Sequence, residues 1–199
     1  ILHFLYENQE KWAQGETIED VNKNLKNIVL EIESGLDFEG CLVNKKIEDH
    51  VKNFTSNVIL TSVEHVSGTD RVHECASKLD IGDDMVIVNV QGDEPFINPV
   101  TINKTADIIY KNKNASVGSA CTSFNDNDFE DPNNVKVSLS DSYRAINFSR
   151  NVDQTKLSDT KEKYFQHVGI YSYNYETLST LVSLPRSKNE IHENLEQVR

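Results

Sequence analysis

The chain is 199 residues long, with 37% hydrophobic and 26% charged residues, and it carries a formal net charge of −12. This length is sufficient for a compact α/β domain with its own core, and the composition is that of an ordinary globular protein. The acidic balance argues against a nucleic-acid binder, because such proteins need a basic surface to displace the counterions of phosphates. A phosphate-bearing small ligand remains open, because one local basic cluster and a divalent metal are enough to bind it.

The cysteines indicate the redox compartment of the protein, and the chain ends indicate whether the sequence is a fragment. Cys41, Cys75 and Cys121 are far apart and show no CxxC spacing, which favours reduced thiols in a cytoplasm over a disulfide framework or a zinc site. No apolar run approaches the ~20 residues that cross a bilayer, and the opening ILHFLY lacks the basic start of a signal peptide. The first residue is not Met, and the final ENLEQVR stops within a predicted helix, so we expect a fragment of a longer protein.

The N-terminal residues 1–43 are predicted to be largely helical. Between Thr17 and about Ser34, apolar residues recur at helical spacing, and Thr17 and Asp20 are placed like a capping pair. The apolar residues of this pattern are Ile18, Val21, Leu25, Ile28 and Val29. The pattern indicates a helix but names no chemistry.

From Asn57 onward, short apolar strands alternate with helical patterns, which is the sequence form of a mostly parallel sheet with crossover helices. The run from Met85 to Val90 is continuous and apolar, as expected of a strand buried on both faces. We therefore predict a three-layer α/β fold. Strands are predicted at 58–61, 85–90, 115–122, 135–139, 143–148 and 167–173, and helices at 67–79, from Asn98-Pro99, from Asn174 and from Ser187.

The predicted helix that starts at Ser187 has an apolar stripe and a charged face. The stripe of Ile191, Leu195 and Val198 is predicted to be buried, and Glu190 and Glu193 are predicted to face solvent.

The segment Val88–Pro95, with the sequence VNVQGDEP, ends a predicted buried strand in a small residue, two carboxylates and a proline. Ligands of open parallel sheets bind beyond the carboxyl ends of the strands, and this is such an end. Gly92 allows the close approach of a phosphate, and the hard carboxylate of Asp93 suits Mg²⁺. On these eight residues alone, a plain strand-to-turn transition is an equally good interpretation.

Three further signals are weak when each is taken alone. The segment Ser67–Arg71 starts a predicted helix, where unpaired N–H groups can hold anions, and Arg71 could donate to a nucleobase or a phosphate. A helix cap with an exposed Arg is the more ordinary interpretation of that segment. Arg150 follows one predicted strand, and His167 starts another. A single histidine in a strand is more often a hydrogen-bonded structural residue than a catalyst.

Taken in order, these segments resemble the 3-deoxy-manno-octulosonate cytidylyltransferases, also called CMP-Kdo synthetases, over about residues 44–199. The resemblance is carried by SGTDR, VIVNVQGDEP, DPNNVKV, FSR at Phe148–Arg150, HVGIY and the terminal LPRSKNEIHENLEQVR. Ordered motifs with family-like spacing are far more specific than a single short motif. The resemblance implies a nucleotide-diphospho-sugar transferase-like (Rossmann-like) fold with a mostly parallel sheet.

The resemblance also implies a reaction: CTP and 3-deoxy-manno-octulosonate (Kdo) give CMP-Kdo and pyrophosphate for lipopolysaccharide synthesis. It implies Mg²⁺, the cytoplasm and a homodimer, with no role for nucleic acid or membrane. Asp93 would be a catalytic metal ligand, and Arg150 a catalytic residue that pairs with the sugar carboxylate. Nucleotide binding is implied for Ser67, Gly68 and Arg71, and sugar binding for Gln91, Arg150, His167, Tyr171, Glu196 and Gln197.

Two parts of the family pattern are not found. Residues 1–43 do not resemble the family's first strand and its triphosphate-cradling loop ARxxSxRxPxK, and the family's downstream metal-binding Asp would lie beyond Arg199. We therefore divide the chain into an unassigned segment, 1–43, and a truncated nucleotidyltransferase domain, 44–199, without the first strand. Two alternatives remain open: a catalytically inactive homologue that binds nucleotide or a partner, and a CMP-sialic acid synthetase-like enzyme.

Overall fold

A computed structural model describes residues 2–5, 38–42, 48–49, 52, 56, 58–91, 97–124, 128–152, 163–193 and 195–199. The predicted helix between Thr17 and Ser34 lies outside these residues, and so do Gly92 and Asp93. The chain divides into two compact units. Unit 1 comprises Ile1–Ser119 and Gly169–Ser183, and unit 2 comprises Ala120–Val168 and Leu184–Arg199.

The described residues form strands and helices in the alternating order that the sequence predicted from Asn57 onward. The strands are β1 (Leu2–Leu5), β2 (Phe38–Leu42), β3 (Val58–Leu60), β4 (Val86–Val90), β5 (Val117–Thr122), β6 (Lys136–Leu139), β7 (Ala145–Ser149) and β8 (Lys163–Asn174). The helices are α1 (Gly68–Lys78), α2 (Pro99–Lys111), α3 (Tyr175–Ser183) and α4 (Lys188–Glu193), followed by a 3-10 helix, Glu196–Val198. In this described part of the chain, no helix is long and apolar enough to span a bilayer.

The sheet of unit 1 begins with four parallel strands in the spatial order β3-β2-β1-β4. The C-terminal half of β8 then pairs antiparallel with β4, so that Asn89 stands opposite Tyr171. Residues 2–5 therefore supply a strand between β2 and β4, which differs from the expectation that the first strand is missing. Strand pairing is made by backbone hydrogen bonds, so a short extended segment can form the strand between β2 and β4 without carrying a family motif. The predicted domain boundary at residue 44 stays a prediction.

Helices cover both faces of this sheet, which confirms the predicted three-layer α/β fold. On one face, α1 and α3 pack against alternate side chains of β4 and β8. On the other face, Ser172 of β8 donates a 2.6 Å hydrogen bond from Oγ to the carbonyl oxygen of Thr105 in α2. The core on the first face comprises Val72, Cys75, Ala76, Ile81, Ile87, Tyr171, Tyr173 and Leu178.

The helix starts of unit 1 confirm the predicted caps. The Oγ of Ser67 accepts a 3.2 Å hydrogen bond from the backbone N–H of Asp70. Asn98 Oδ1 accepts one of 2.8 Å from Val100 N–H, and Asn174 Oδ1 accepts one of 2.8 Å from Thr177 N–H. Each cap satisfies a backbone donor that the first helical turn leaves without a partner.

Unit 2 contains an antiparallel arrangement in which β6 pairs with β7 and with the N-terminal half of β8. Its terminal segment differs from the prediction, because α4 ends at Glu193 and a separate 3-10 helix follows. Within α4, Ile191 is 61% exposed while Glu190 is only 1% exposed, because Arg186 and Arg199 pair with the Glu190 carboxylate. The predicted burial of Ile191 and the predicted solvation of Glu190 are both wrong, whereas Leu195 is buried as predicted.

Candidate active site

The predicted nucleotide-binding residues lie at the N-terminus of α1, where Ser67 caps the helix and Gly68 is its first residue. Arg71 is 2% exposed. Its Nη1 donates to Thr61 Oγ1 at 2.7 Å and to the carbonyl oxygen of Ser62 at 2.8 Å. The guanidinium therefore fastens the loop after β3 to α1. The alternative interpretation of Arg71 as an exposed residue behind a cap is wrong, since the tertiary contacts bury it.

Glu74 lies one turn further along α1, and its carboxylate also binds the loop after β3. Its Oε2 accepts a 2.8 Å hydrogen bond from the backbone N–H of Ser62 and pairs with His65 Nε2, and its Oε1 is 2.6 Å from Lys78 Nζ. Burial by itself raises the pKa of Glu74, but hydrogen bonds from Lys78, Ser62 and His65 lower it to about 2. Sequence reasoning missed this residue; the i,i+4 spacing of Glu74 and Lys78 was the available signal.

Gln91 directly follows β4, is half-buried, and precedes the residues that the structure does not describe. Side chains alternate along a strand, so Asn89, which pairs with Tyr171, shares the α1 face of the sheet with it; Gln91 directly follows Val90, which pairs with Ile170. Asn89 is fully buried, and neither its Oδ1 nor its Nδ2 has a hydrogen-bond partner among the described residues. The predicted sugar-binding residues Gln91 and Tyr171 thus lie near each other in unit 1.

In unit 2, the structure brings the predicted sugar-binding residues His167 and Gln197 together and places a third, Arg150, against the end of α4. Arg150 follows β7 and donates from Nε to the carbonyl oxygen of Glu193 at 2.9 Å and from Nη1 to that of Pro132 at 3.2 Å. His167 of β8 packs its ring edge-to-face against Phe148, with the centroids 5.3 Å apart. Gln197 Nε2 lies 3.4 Å from His167 Nδ1. We call Arg150, His167 and Gln197 the unit 2 cluster.

Burial decides the charge of His167 and therefore its hydrogen-bonding capacity. Desolvation lowers the pKa of His167 to about 4, so the imidazole is neutral at pH 7. A neutral imidazole has one acceptor nitrogen and one donor nitrogen. When Gln197 donates to Nδ1, the proton resides on Nε2, from which it can be donated to a ligand oxygen. Glu196, also predicted to bind sugar, is half-buried at the start of the 3-10 helix.

The segment Asp131–Val137, which carries part of the family resemblance, has an internal structural role. Lys136 is 2% exposed, and its Nζ donates to the carbonyl oxygens of Asp131 at 2.6 Å and Asn134 at 2.8 Å. Its ammonium also lies 5.7 Å from the ring centroid of Phe129. Burial lowers the pKa of Lys136, Asp131 opposes that change and Arg150 adds to it. Lys136 thus holds the turn before β6 in place.

The described residues do not themselves form a metal centre. Among them, no group of three or more His, Cys, Asp and Glu side chains could hold a metal ion. Asp93, the predicted ligand, lies outside the described residues. Metal binding at the end of β4 therefore stays a prediction.

Comparison with known proteins bears out the resemblance read from the motifs. The model of the cytidylyltransferase family matches residues 43–199. The 3-deoxy-manno-octulosonate cytidylyltransferases of Bacteroides thetaiotaomicron, Elusimicrobium minutum and Parabacteroides distasonis are 35%, 37% and 38% identical to this chain. These alignments cover 77–78% of this chain and 63–66% of the relatives. The chain thus spans about two thirds of the length of the curated relatives it matches.

Two solved structures share the fold. CMP:2-keto-3-deoxy-manno-octonic acid synthetase complexed with CTP has a TM-score of 0.83 at 24% identity, over 99% of this chain and 83% of that one. 4-diphosphocytidyl-2C-methyl-D-erythritol synthase has a TM-score of 0.56 at 13% identity, over 100% and 85% of the two chains. The family model matches most of the length of this chain, so the chain belongs to the cytidylyltransferase family.

Proposed function

We propose that this chain is part of a cytoplasmic, homodimeric cytidylyltransferase that forms CMP-Kdo and pyrophosphate from CTP and Kdo for lipopolysaccharide synthesis. The observation that carries the proposal is the unit 2 cluster. Its members come from different elements: His167 and Gln197 contact each other, Arg150 bonds to the end of α4, and the family resemblance assigns all three to the sugar acid. The named relatives of 35–38% identity support the same substrate.

Within this proposal, the unit 2 cluster binds the acidic sugar through charge and hydrogen bonds. The planar guanidinium of Arg150 suits a carboxylate, and its bonds to two carbonyl oxygens hold it in a defined orientation. The neutral imidazole of His167 and the amide of Gln197 suit hydroxyl groups. We assign Gln91, Tyr171 and Glu196 to sugar binding as well, on the family resemblance.

For the nucleotide, we propose that the start of α1 at Ser67 and Gly68 contributes backbone N–H groups to the cytidine site. Arg71 contributes by fixing the loop that borders this helix start. The side chains that shape this site are thus engaged within the protein, and the backbone makes the contacts with the ligand.

We propose Mg²⁺ as the cofactor and Asp93 as its catalytic ligand. A bound divalent ion would supply neutralisation of the charge that develops on the phosphates. The proposal for Asp93 is supported by its place in the sequence after β4 and by the family resemblance.

The experiment is an assay of pyrophosphate release from CTP and Kdo with Mg²⁺. It compares the chain with Asp93→Ala and with Asp141→Ala, an exposed aspartate in the turn before β7 that serves as the matched control. We expect turnover by the chain and by Asp141→Ala and none by Asp93→Ala. Equal turnover by all three proteins would contradict the role of Asp93.

Two further outcomes separate the alternatives. If nothing turns over while CTP raises the melting temperature of the chain, the catalytically inactive homologue is favoured. If turnover occurs with sialic acid in place of Kdo, the CMP-sialic acid synthetase-like alternative is favoured.

A further inference from the structure

Glu190 is a buried carboxylate for which the proposed chemistry has no use. Its side chain is 2% exposed and meets two arginines. Arg199 Nη2 donates to Oε1 at 2.9 Å and Arg199 Nε to Oε2 at 3.1 Å, while Arg186 Nε donates to Oε1 at 3.0 Å. A carboxylate removed from water in this way is tolerated only when it is paired and hydrogen-bonded.

The two arginines connect Glu190 to different parts of the chain. Arg186 lies four residues before Glu190, just ahead of α4, and its side chain is 40% exposed, so this pair is local to the start of α4. Arg199 lies beyond the break at Leu195, and its side chain is 6% exposed. The Arg199 pair therefore joins α4 to the end of the 3-10 helix, whereas the Arg186 pair does not.

Two more hydrogen bonds tie the same pieces together. Ser187 Oγ accepts from the backbone N–H of Glu190 at 2.9 Å and donates to the carbonyl oxygen of Val198 at 2.6 Å. The backbone N–H of Leu195 donates to the carbonyl oxygen of Glu190 at 3.2 Å. Residues 187 and 190 are thus bonded to the chain before and after Glu196 and Gln197.

The 3-10 helix needs such external support. Its own backbone bonds, from Val198 N–H to Leu195 and from Arg199 N–H to Glu196, are 3.4 Å and 3.2 Å long. A single 3-10 turn with long hydrogen bonds does not keep its position without tertiary contacts. Gln197 on this turn is the residue that approaches His167.

We propose that Glu190 is a positioning residue: its ion pair with Arg199 holds the turn of Glu196 and Gln197 in the place from which Gln197 meets His167 and the sugar acid. This inference deepens the proposed function and rests on it for the identity of the ligand. The geometric part, that Glu190 places Gln197 beside His167, stands independently of the ligand.

The test compares Glu190→Gln and Arg199→Met with Arg186→Met in the full chain. Arg186→Met is the matched control, because it removes a partner of the same carboxylate without touching the 3-10 helix. Kdo binding is measured by calorimetry with CTP present and Mg²⁺ omitted, so that no turnover occurs, and CTP binding is measured separately. We expect Kdo affinity to fall about tenfold or more in the first two variants, as a displaced contact residue does, and less than about twofold in the control. CTP affinity stays unchanged in all three.

A second readout does not depend on ligand binding. In the wild type, burial lowers the pKa of His167 to about 4. When the turn is released, water reaches the imidazole, and we expect its pKa to rise toward the ordinary value of 6.5 in Glu190→Gln and Arg199→Met but not in Arg186→Met. NMR titration measures it, with His167→Gln identifying the resonance.

These readouts separate the failure of the inference from the failure of the proposed function. If the chain does not bind Kdo while the pKa of His167 rises in Glu190→Gln, the positioning role holds and the ligand is wrong. If Glu190→Gln lowers the melting temperature but leaves both Kdo affinity and the His167 pKa unchanged, Glu190 is merely structural and the inference is overturned. Should Glu190→Gln fail to fold, Glu190→Asp retains the charge but shortens the reach to Arg199, and the same outcomes decide.

Discussion

The N-terminus of α1 in unit 1 and the unit 2 cluster both contain residues that the family resemblance marks, but the two regions are built differently. Ser67, Gly68 and Arg71 are contiguous in sequence, and the side chains of Ser67 and Arg71 are engaged in a cap and in the loop after β3. Arg150, His167 and Gln197 come from distant segments; His167 and Gln197 meet only in the folded unit, where Arg150 bonds to Glu193 of α4. A contiguous motif can therefore be mainly architectural, whereas convergence of distant polar residues is a stronger sign of a ligand site.

The largest effect is expected when the positive charge of the unit 2 cluster is removed. Arg150→Ala removes the guanidinium proposed to pair with the sugar carboxylate. We expect kcat/KM for Kdo to fall by about 100-fold or more, with little change in CTP affinity. Steady-state pyrophosphate release checks it, with Arg144→Ala, an exposed arginine, as the control. Equal losses in kcat/KM for Kdo and in CTP affinity would contradict the assignment of Arg150 to the sugar site.

The next effect is on stability and belongs to unit 1. Arg71→Ala deletes two hydrogen bonds from a buried guanidinium and leaves Thr61 Oγ1 and the Ser62 carbonyl without this donor. We expect a loss of about 2 to 3 kcal/mol in the free energy of unfolding and weaker CTP binding, with Kdo binding retained. Urea denaturation measures the first change. A variant as stable as the wild type would show that Arg71 does not fasten the loop.

A pH-dependent effect distinguishes unit 2. The pKa of His167 in the folded state, about 4, lies below its ordinary value of 6.5. The unfolded chain therefore binds more protons between these values, so the contribution of His167 is complete above pH 6.5 and is lost as the pH falls toward 4. We expect His167→Gln to reduce the fall in melting temperature over this window. Identical pH profiles for the two proteins would refute the burial of a neutral His167.

The smallest expected effect is the corresponding one in unit 1, at lower pH. The folded-state pKa of Glu74 is about 2, below its ordinary 4.5. Its stabilising contribution is complete above pH 4.5 and is lost as the pH falls toward 2. The advantage of the wild type over Glu74→Gln in melting temperature should shrink across that window. Because Glu74 is partly exposed, the difference should also weaken with added salt.

Much of the fold was predictable because its signals are local. The caps at Ser67, Asn98 and Asn174 need only neighbouring backbone N–H groups, and the run 86–90, which is apolar except for Asn89, is typical of a strand that is covered on both faces. The ordered motifs likewise identified the family before any contact was known. The predicted site residues could be named from them, but not their partners.

What sequence could not predict depends on distant partners. Glu190 reads as a solvated helix residue, but Arg199 beyond the break at Leu195 buries it. Arg71 reads as an exposed cap residue, but the carbonyl oxygen of Ser62 and the hydroxyl of Thr61 bury it. Residues 2–5 carry no motif, yet they pair between β2 and β4.

The amino-acid sequence by itself therefore determined the α/β class, the main elements from Asn57 onward and membership of the cytidylyltransferase family. These follow from periodicity, capping and ordered motifs, which act over a few residues. The tertiary structure decided which charges are buried and which polar residues meet in unit 2. The physical reason is that a charge leaves water only when opposite charges and hydrogen-bond partners surround it, and the folded chain gathers those partners from far along the sequence.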